Sequence, residues 1–461
     1  MQELPDLSSL PPEAKDALIQ LLWEKYQEMS ERVEQLNERI TELEKRPSKT
    51  SRNSSKPPSQ GFKANKRTKQ KGGERREASV GRAGGGRQLH PHPHQTIVAQ
   101  LHQCPDCLAQ MLPSAQRLHS RYDKLELPPI EPIVTRVERY QGTCRSCGHH
   151  AVAPVPSNLA PGSPFGETIE RLVPYLRYQH AISYQRLSRL LQELFNLSIS
   201  EGAIANLLAR VHSRLVEPLA QIQSRLQQAK LICSDETGAR VCGKTQWEWV
   251  FQNEELCFHT ICATRGASVI YAVLGEHEPD TWVSDLFSAQ KNHPGKQWQV
   301  CLAHQLRDLQ FAIDAGDTVF APPMKRLLLQ AIAIHKRYES LAESTRYQYC
   351  LAMKRKLRRI LALEPDQADG IRLKKRYDAI QDNLFLFLED ASIPPTNNSS
   401  EQAIRMSTLF RKVTNGFRSN WGRDLFAAFR SVVNTGMRQG VSALESIDIA
   451  LSPGESLFQP G

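Results

Sequence analysis

The sequence predicts a multidomain α/β protein. Three observations predict it: a seven-residue apolar repeat near the N-terminus, two CxxC pairs in the segment that follows, and short β-branched runs giving way to helical periodicity in the second half. At 461 residues the chain has room for about two to four domains. Its 40% apolar and 23% charged content is ordinary for a globular protein. No apolar stretch approaches the ~18 residues that a membrane span needs. The opening residues 1–10 lack the basic and apolar regions of a signal peptide. The expected location is therefore the cytoplasm, where ten cysteines suggest metal ligands or buried thiols rather than a disulfide framework.

Residues 13–46 read as a coiled coil. Ile19, Tyr26, Val33 and Ile40 fall seven apart, and Leu22, Met29, Leu36 and Leu43 repeat at the same interval, offset by three. Self-association as at least a dimer is the functional expectation, and packing of one helix on its own domain is the alternative. Pro47 ends the helix by removing a donor. Residues 47–95 lack periodicity and read as a disordered basic arm or linker. The net charge of +10 is concentrated there: fourteen Lys or Arg lie between 45 and 87 against Glu74 and Glu77, so the rest of the chain is slightly acidic. Such a run suits DNA phosphates, with Arg52, Lys56, Lys66, Arg67, Lys69 and Lys71 as candidate contacts.

Residues 96–155 read as a zinc ribbon. Cys104-Pro105-Asp106-Cys107 and Cys144-Arg145-Ser146-Cys147 make two knuckles, and alternating segments such as Ile133–Val137 are expected as strands between them. A redox pair is the alternative. Residues 166–229 read as helical. One helix is expected over Tyr184–Phe195 and another over Glu201–Arg214, capped by Ser200. The pair resembles a helix-turn-helix, although any compact bundle would share the pattern.

From residue 230 the pattern turns to strands. Leu231–Ser234, Glu248–Phe251 and Leu256–Ala263 are short β-branched or aromatic runs separated by turns at Gly243 and Asn253-Glu254. A helix over Ser268–Leu274 and strands over Thr281–Ser284 and Gln299–Leu302 follow. Three meandering strands and then alternating helix and strand is the ribonuclease H-like layout. It assigns 230–303 and 394–440 to a catalytic core. Residues 304–393 become a basic helical insertion suited to DNA, and 441–461 a C-terminal tail.

Asp235 and Asp285 fall at strand positions, and Glu401 lies just inside a helix that opens after Asn397-Asn398-Ser399. Asp280 and Asp308 are fallbacks for the second position. Two strand aspartates and one helical glutamate suit a pair of Mg²⁺ (or Mn²⁺) ions, which prefer oxygen ligands and serve phosphoryl transfer. On a strand, Asp235 and its neighbour Glu236 must point to opposite faces, so only one joins the site. Cys301 and His304, three apart at a strand-to-helix junction, read as a supporting pair or as a buried thiol beside a locally bonded histidine. Arg405, Arg411, Lys412, Arg418 and Arg423 surround the third carboxylate and suit a DNA backbone.

Together these segments resemble the transposases of the insertion sequence 66 family. Residues 52–59, Arg-Asn-Ser-Ser-Lys-Pro-Pro-Ser, look like the family's basic arm, and the paired CxxC motifs look like its zinc-binding region. Ser234-Asp235-Glu236-Thr237-Gly238 with Trp247-Glu248-Trp249-Val250 is similar to its first catalytic block. Val283-Ser284-Asp285 and residues Cys301–Arg307 are similar to the second, and residues Pro395–Arg405 to the third. The resemblance runs in order over nearly the whole chain. It implies that Asp235, Asp285 and Glu401 are the DDE carboxylates of a transposase that hydrolyses DNA at element ends and joins the freed 3′-hydroxyl to target DNA. It also implies accessory transposition proteins and association with the nucleoid. A non-catalytic DNA-binding or assembly protein on the same scaffold, and a stand-alone nuclease, are the alternatives.

Overall fold

The computed structural model describes residues 11–45, 47, 49–50, 53–54, 88–291 and 295–458. The arm positions Arg52, Lys56, Lys66, Arg67, Lys69 and Lys71 lie outside the described residues, as does the side chain of Leu43. The chain divides into two compact units. The larger comprises residues 1–62, 137–188 and 199–461, and the smaller residues 63–136 and 189–198.

In the larger unit, helix α1 spans Pro12–Lys45. At ~1.5 Å per residue it is about 50 Å long. Its seam residues Ile19, Leu22, Tyr26, Met29, Val33, Leu36 and Ile40 are all exposed. A short antiparallel pair, β1 (Gln141–Thr143) and β2 (His150–Val152), brackets the second CxxC knuckle. Helix α2 follows (Glu167–Pro174). Helix α3 (Tyr184–Phe195) begins in the larger unit and ends in the smaller. Helix α4 (Glu201–Arg214) starts where expected, because the Ser200 side chain accepts from Ala203 N–H at 3.1 Å. Helix α5 covers Val216–Leu226.

The smaller unit holds the first CxxC knuckle. The strand expected at Ile133–Val137 does not form: Ile133 and Val134 are 96% and 89% exposed, and no strand pairs with them among the described residues. β-branched composition favours an extended chain but supplies no partner edge.

The central sheet has five strands in the order β5-β4-β3-β6-β7. β3 (Leu231–Val241), β4 (Lys244–Gln252) and β5 (Cys257–Cys262) form an antiparallel meander. Helix α6 (Ser268–Leu274) then leads to β6 (Thr281–Ser284), which pairs parallel with β3. Helix α7 (Ser288–Lys291) leads to β7 (Gln297–Val300), parallel with β6. The first hairpin turns through Cys242 and Gly243, both at positive φ (49° and 76°), the backbone a two-residue turn between twisted strands requires. β3 runs seven residues beyond the expected Ser234, and β7 begins two residues before the expected Gln299.

The segment expected as an insertion forms α8 (Leu302–Asp314), α9 (Ala321–His335), α10 (Glu343–Leu361) and α11 (Ala368–Ile380). It is not a detached module. Leu309, Phe320, Met324, Leu328, Met353 and Tyr377 share one buried cluster with the sheet residues Cys233, Val283 and Val300. Burial of each such side chain contributes roughly 1.5–3 kcal/mol. Helix α12 (Asn398–Thr414) returns to lie on β3 and β4, and α13 (Asn420–Arg438) lies on β5. In the C-terminal tail α14 (Ala443–Leu451) packs on α13, and Leu457 and Phe458 are buried. No helix among the described residues is long and apolar enough to cross a membrane.

Between α12 and α13 the chain turns through Asn415 and Gly416, at φ +57° and +96°, and then bridges Val241 with Phe417. A Cβ on Gly416 would stand 2.7 Å from the Arg240 carbonyl oxygen. Gly416→Ala is therefore expected to lower the unfolding free energy by about 1–3 kcal/mol, as measured by denaturant titration. An unchanged midpoint would show that this turn is not held as described.

Candidate active site

Asp235 sits inside β3, directly opposite Val250 of β4, and Glu236 sits opposite Trp249. Strand alternation sends their side chains to opposite faces. On its face Glu236 is neutralised: the Arg265 fork donates to Oε1 at 3.1 and 2.6 Å, and Gln290 donates to Oε2 at 2.7 Å. Arg265 lies over the rings of Phe287 and Trp247, at 3.7 and 4.6 Å to their centroids. Asp235 meets no cation among the described residues. Its carboxyl accepts only the Glu236 N–H, at 2.9 Å. Burial, and then the Glu236, Asp285 and Glu401 carboxylates, hold it well above the usual carboxylate range, while the Glu236 N–H works in the opposite direction. The three expected carboxylates therefore share one electrostatic neighbourhood.

Asp285 follows the last residue of β6, and its Oδ1 accepts the Phe287 N–H at 2.9 Å. Glu401 lies in the first turn of α12, where a negative charge is favoured by the helix dipole. Arg307 of α8 reaches both Glu401 oxygens at 3.4 Å, and His304 Nε2 stands 3.9 Å from Oε1. His304 and Arg307 are three residues apart and so share a face of α8. Among the described residues, His304 Nδ1 is buried without a hydrogen-bond partner. Cys301 is fully buried, and burial pushes its thiol up to about 11. Its sulfur accepts the Asn397 N–H at 3.1 Å. Of the expected supporting pair, only His304 faces the carboxylates, and Cys301 secures the loop before α12.

That loop is fastened to the sheet at several points. Asn397, 2% exposed, donates Nδ2 to the Ser234 carbonyl at 2.6 Å, one residue before Asp235. Gln252 of β4 donates to the hydroxyls of Ser399 and Ser400 at 2.7 and 2.8 Å. The Leu302 N–H donates to the Pro395 carbonyl at 3.0 Å. Further along α12, Ser407 donates to Glu248 Oε1 at 2.6 Å, and Glu248 meets His259 Nδ1 at 3.1 Å. Both Glu248 and His259 are fully buried. Sequence reading missed Asn397, Glu248, His259 and Arg307 as working residues. The available signal was a charged residue inside the Trp247-Glu248-Trp249 strand, which a packed sheet tolerates only with partners.

The expected DNA contacts divide. Arg405, Lys412 and Arg418 are exposed. Arg411 turns inward to Thr237 Oγ1 at 3.4 Å, and Arg423 is held by Asp424 and Gln246. The fallback Asp280 is bound by Lys296, and Asp308 by Arg376. At the first knuckle the Cys107 and Asp106 N–H groups hold the Cys104 thiol below its usual value, and Cys147 and Ser146 do the same for Cys144. Among the described residues no three His, Cys, Asp or Glu side chains are placed as a ready metal cluster.

Residues 162–424, more than half of the chain, match the family model described as Transposase IS66 family. The chain belongs to that family. Residues 2–88 match a family of unknown function (DUF6444). None of the curated proteins matches the chain. Membership makes this IS66-family protein a transposase, with DNA as its partner. The family match spans β3 to α12 and so includes all three carboxylates.

The buried cluster of Cys257, His259 and Glu248 gives this transposase a pH signature. Burial opposes charge on His259, but the adjoining Cys257 thiol and the Glu248 carboxylate outweigh it, and the imidazole is pushed up to about 8. An unfolded histidine titrates near pH 6.5. The stabilisation is complete below about pH 6.5 and is lost as pH rises through about 8. Denaturation across this window should show wild type losing more stability than Cys257→Ser, which removes the partner that raises the imidazole most. Parallel profiles would exclude the Cys257–His259 contact as the source.

Proposed function

We propose that Asp235, Asp285 and Glu401 are the catalytic carboxylates of a ribonuclease H-like core that hydrolyses DNA at element ends and transfers the freed strand into target DNA. What supports this reading is the buried Asp235 carboxyl, which the motif-borne Asp285 and Glu401 carboxylates push further above the usual range, while Glu236 on the other face of the strand is bound by Arg265. The mixed sheet supports it: an antiparallel meander extended by two parallel strands sets Asp235 on the central strand and Asp285 at the end of its neighbour.

The donor set fits Mg²⁺ or Mn²⁺. It consists of hard oxygens, and among the described residues Asp235 meets no cation while its acidic neighbours repel it. Bound divalent ions would supply Lewis acidity for the attacking and leaving oxygens. The chain's own residues hold the donors. Asn397 and Gln252 fix the start of α12, and Arg307 with His304 orients Glu401. The exposed Arg405, Lys412 and Arg418 are available to DNA phosphates. In the first step water attacks the phosphorus at the element end, and the bond to the 3′-oxygen breaks. In the second the released 3′-hydroxyl attacks a target phosphodiester, and the target's own 3′-oxygen leaves.

Asp235→Asn is expected to abolish both steps, by about 1000-fold or more, while leaving DNA binding within a few-fold. Purified protein with end-containing duplex and Mg²⁺ provides the measurement. Cutting and joining at wild-type rates would sink the mechanism, and cutting without joining would favour a nuclease.

We further read Cys104 and Cys107, and Cys144 and Cys147, as zinc ligands, because each knuckle aims backbone N–H groups at a sulfur and favours its thiolate. Metal analysis of Cys104→Ser should then show loss of bound zinc. Protein isolated with no zinc, or a variant retaining all of it, would exclude this role. The exposed seam of α1 is read as a dimer surface.

A further inference from the structure

The basic arm begins with a built contact that the catalytic reading leaves unused. Asn53 belongs to no helix or strand, yet only 4% of its surface is exposed. Its Oδ1 accepts from Thr50 N–H and Oγ1 at 2.7 and 3.1 Å, and its own N–H donates to the Thr50 carbonyl at 3.3 Å, so side chain and backbone tie the two residues together. Ser54 Oγ donates to the Thr50 carbonyl at 2.6 Å and locks the same turn. Asn53 Nδ2 donates outward to Asp314 Oδ2 at 3.1 Å. Lys49 lies over the Phe311 ring, 5.8 Å from its centroid.

Asp314 is the last residue of α8, a position where the helix dipole disfavours an acid. It is held there by two amide donors, Asn53 and Gln310, the latter at 2.6 Å. An amide donating to a carboxylate is a charge-assisted bond, about twice as strong as a neutral one. Asp314 lies two turns beyond Arg307 on the same face of α8. Both line an open cavity of about 830 Å³, together with Leu306, Gln310, Lys325 of α9 and the Pro47, Thr50 and Asn53 segment. Arg307 also contacts Glu401. One wall thus runs from the carboxylate site to the arm's anchor and carries the cations Arg307 and Lys325.

We propose that the Thr50–Asn53 turn moors the basic arm on α8, and that the cavity beside it receives the DNA phosphodiester backbone next to the carboxylate site. This rests on the catalytic reading for its place in the reaction, and it assigns a task to a segment within the family match of unknown function. The basic run that continues in the sequence after Ser54 is tethered to this rim, which raises its effective concentration for DNA held there.

The test uses full-length protein, a fluorescent duplex of arbitrary sequence and no divalent metal, since phosphate contacts carry no sequence information. Asn53→Asp sets a second carboxylate against Asp314 and should release the turn. Amide hydrogen exchange at residues 49–54 should accelerate at least about tenfold without DNA. Duplex affinity should fall about tenfold, and the slope of log affinity against log salt should shrink by about one to two phosphates. Adding Asp314→Asn to Asn53→Asp restores an amide–carboxylate pair and should recover exchange, affinity and slope, which separates mooring from general unfolding. Exchange unchanged in Asn53→Asp would overturn the mooring. A freed turn with wild-type affinity and slope would overturn the DNA role. Neither readout involves cleavage, so an inactive wild type would count against the catalytic reading alone.

Discussion

Asn397 donates its side-chain amide to the Ser234 carbonyl, and that buried bond couples a helix to a strand across 163 positions of sequence. The strand carries Asp235 one residue later, and the helix carries Glu401 four residues later. Gln252 reinforces the junction through Ser399 and Ser400, and Cys301 accepts the Asn397 N–H. With the start of α12 fixed at the centre of the sheet, Ser407 and Arg411 fall over Glu248 and Thr237 further along the same helix. Loss of this bond would leave the placement of Glu401 to the remaining contacts of Gln252, Cys301, Ser407 and Arg411.

Fastening like charges together has an electrostatic cost, and the protein distributes it unevenly. Glu236 is neutralised by Arg265, and Glu401 is drawn toward Arg307 and His304. Burial and Asp285 push the Glu236 carboxyl up as well, but Asp235 faces burial and its acidic neighbours with no cation on it among the described residues. A site relaxed for its own stability would have placed a cation there. On the proposed reading, Asp235 and Asp285, neither of which meets a cation among the described residues, would face the divalent ions.

The helices between β7 and α12 belong to the same construction. Their core merges with that of the sheet, so α8 is held rigidly enough to present His304 and Arg307 to Glu401 at one end and Asp314 to Asn53 at the other. One helix face therefore relates the carboxylates to the start of the arm. A loosely hinged insertion would not hold both ends in register.

Much of this was legible in the chain. The seven-residue repeat, the Ser200 cap, the limits of α3, α4, α6 and β6, and the residues of the three carboxylate blocks all follow from periodicity, capping and motif, which act over a few residues. The opposition of Asp235 and Glu236 was also fixed locally, by strand alternation. Their fates were not, because Arg265 and Gln290 reach Glu236 from 29 and 54 positions away, and Asn397 reaches the Ser234 carbonyl beside Asp235 from 163. The same holds for the exposed Ile133–Val137 segment, whose composition favours a strand but cannot provide a partner edge. The sequence by itself determined most of the helices and strands and which carboxylates they bear. Only the tertiary structure decided which carboxylate is neutralised, which is left exposed to its neighbours' charge, and that Asn53 is bound to the end of α8, because buried hydrogen bonds and desolvation depend on what the folded chain brings together.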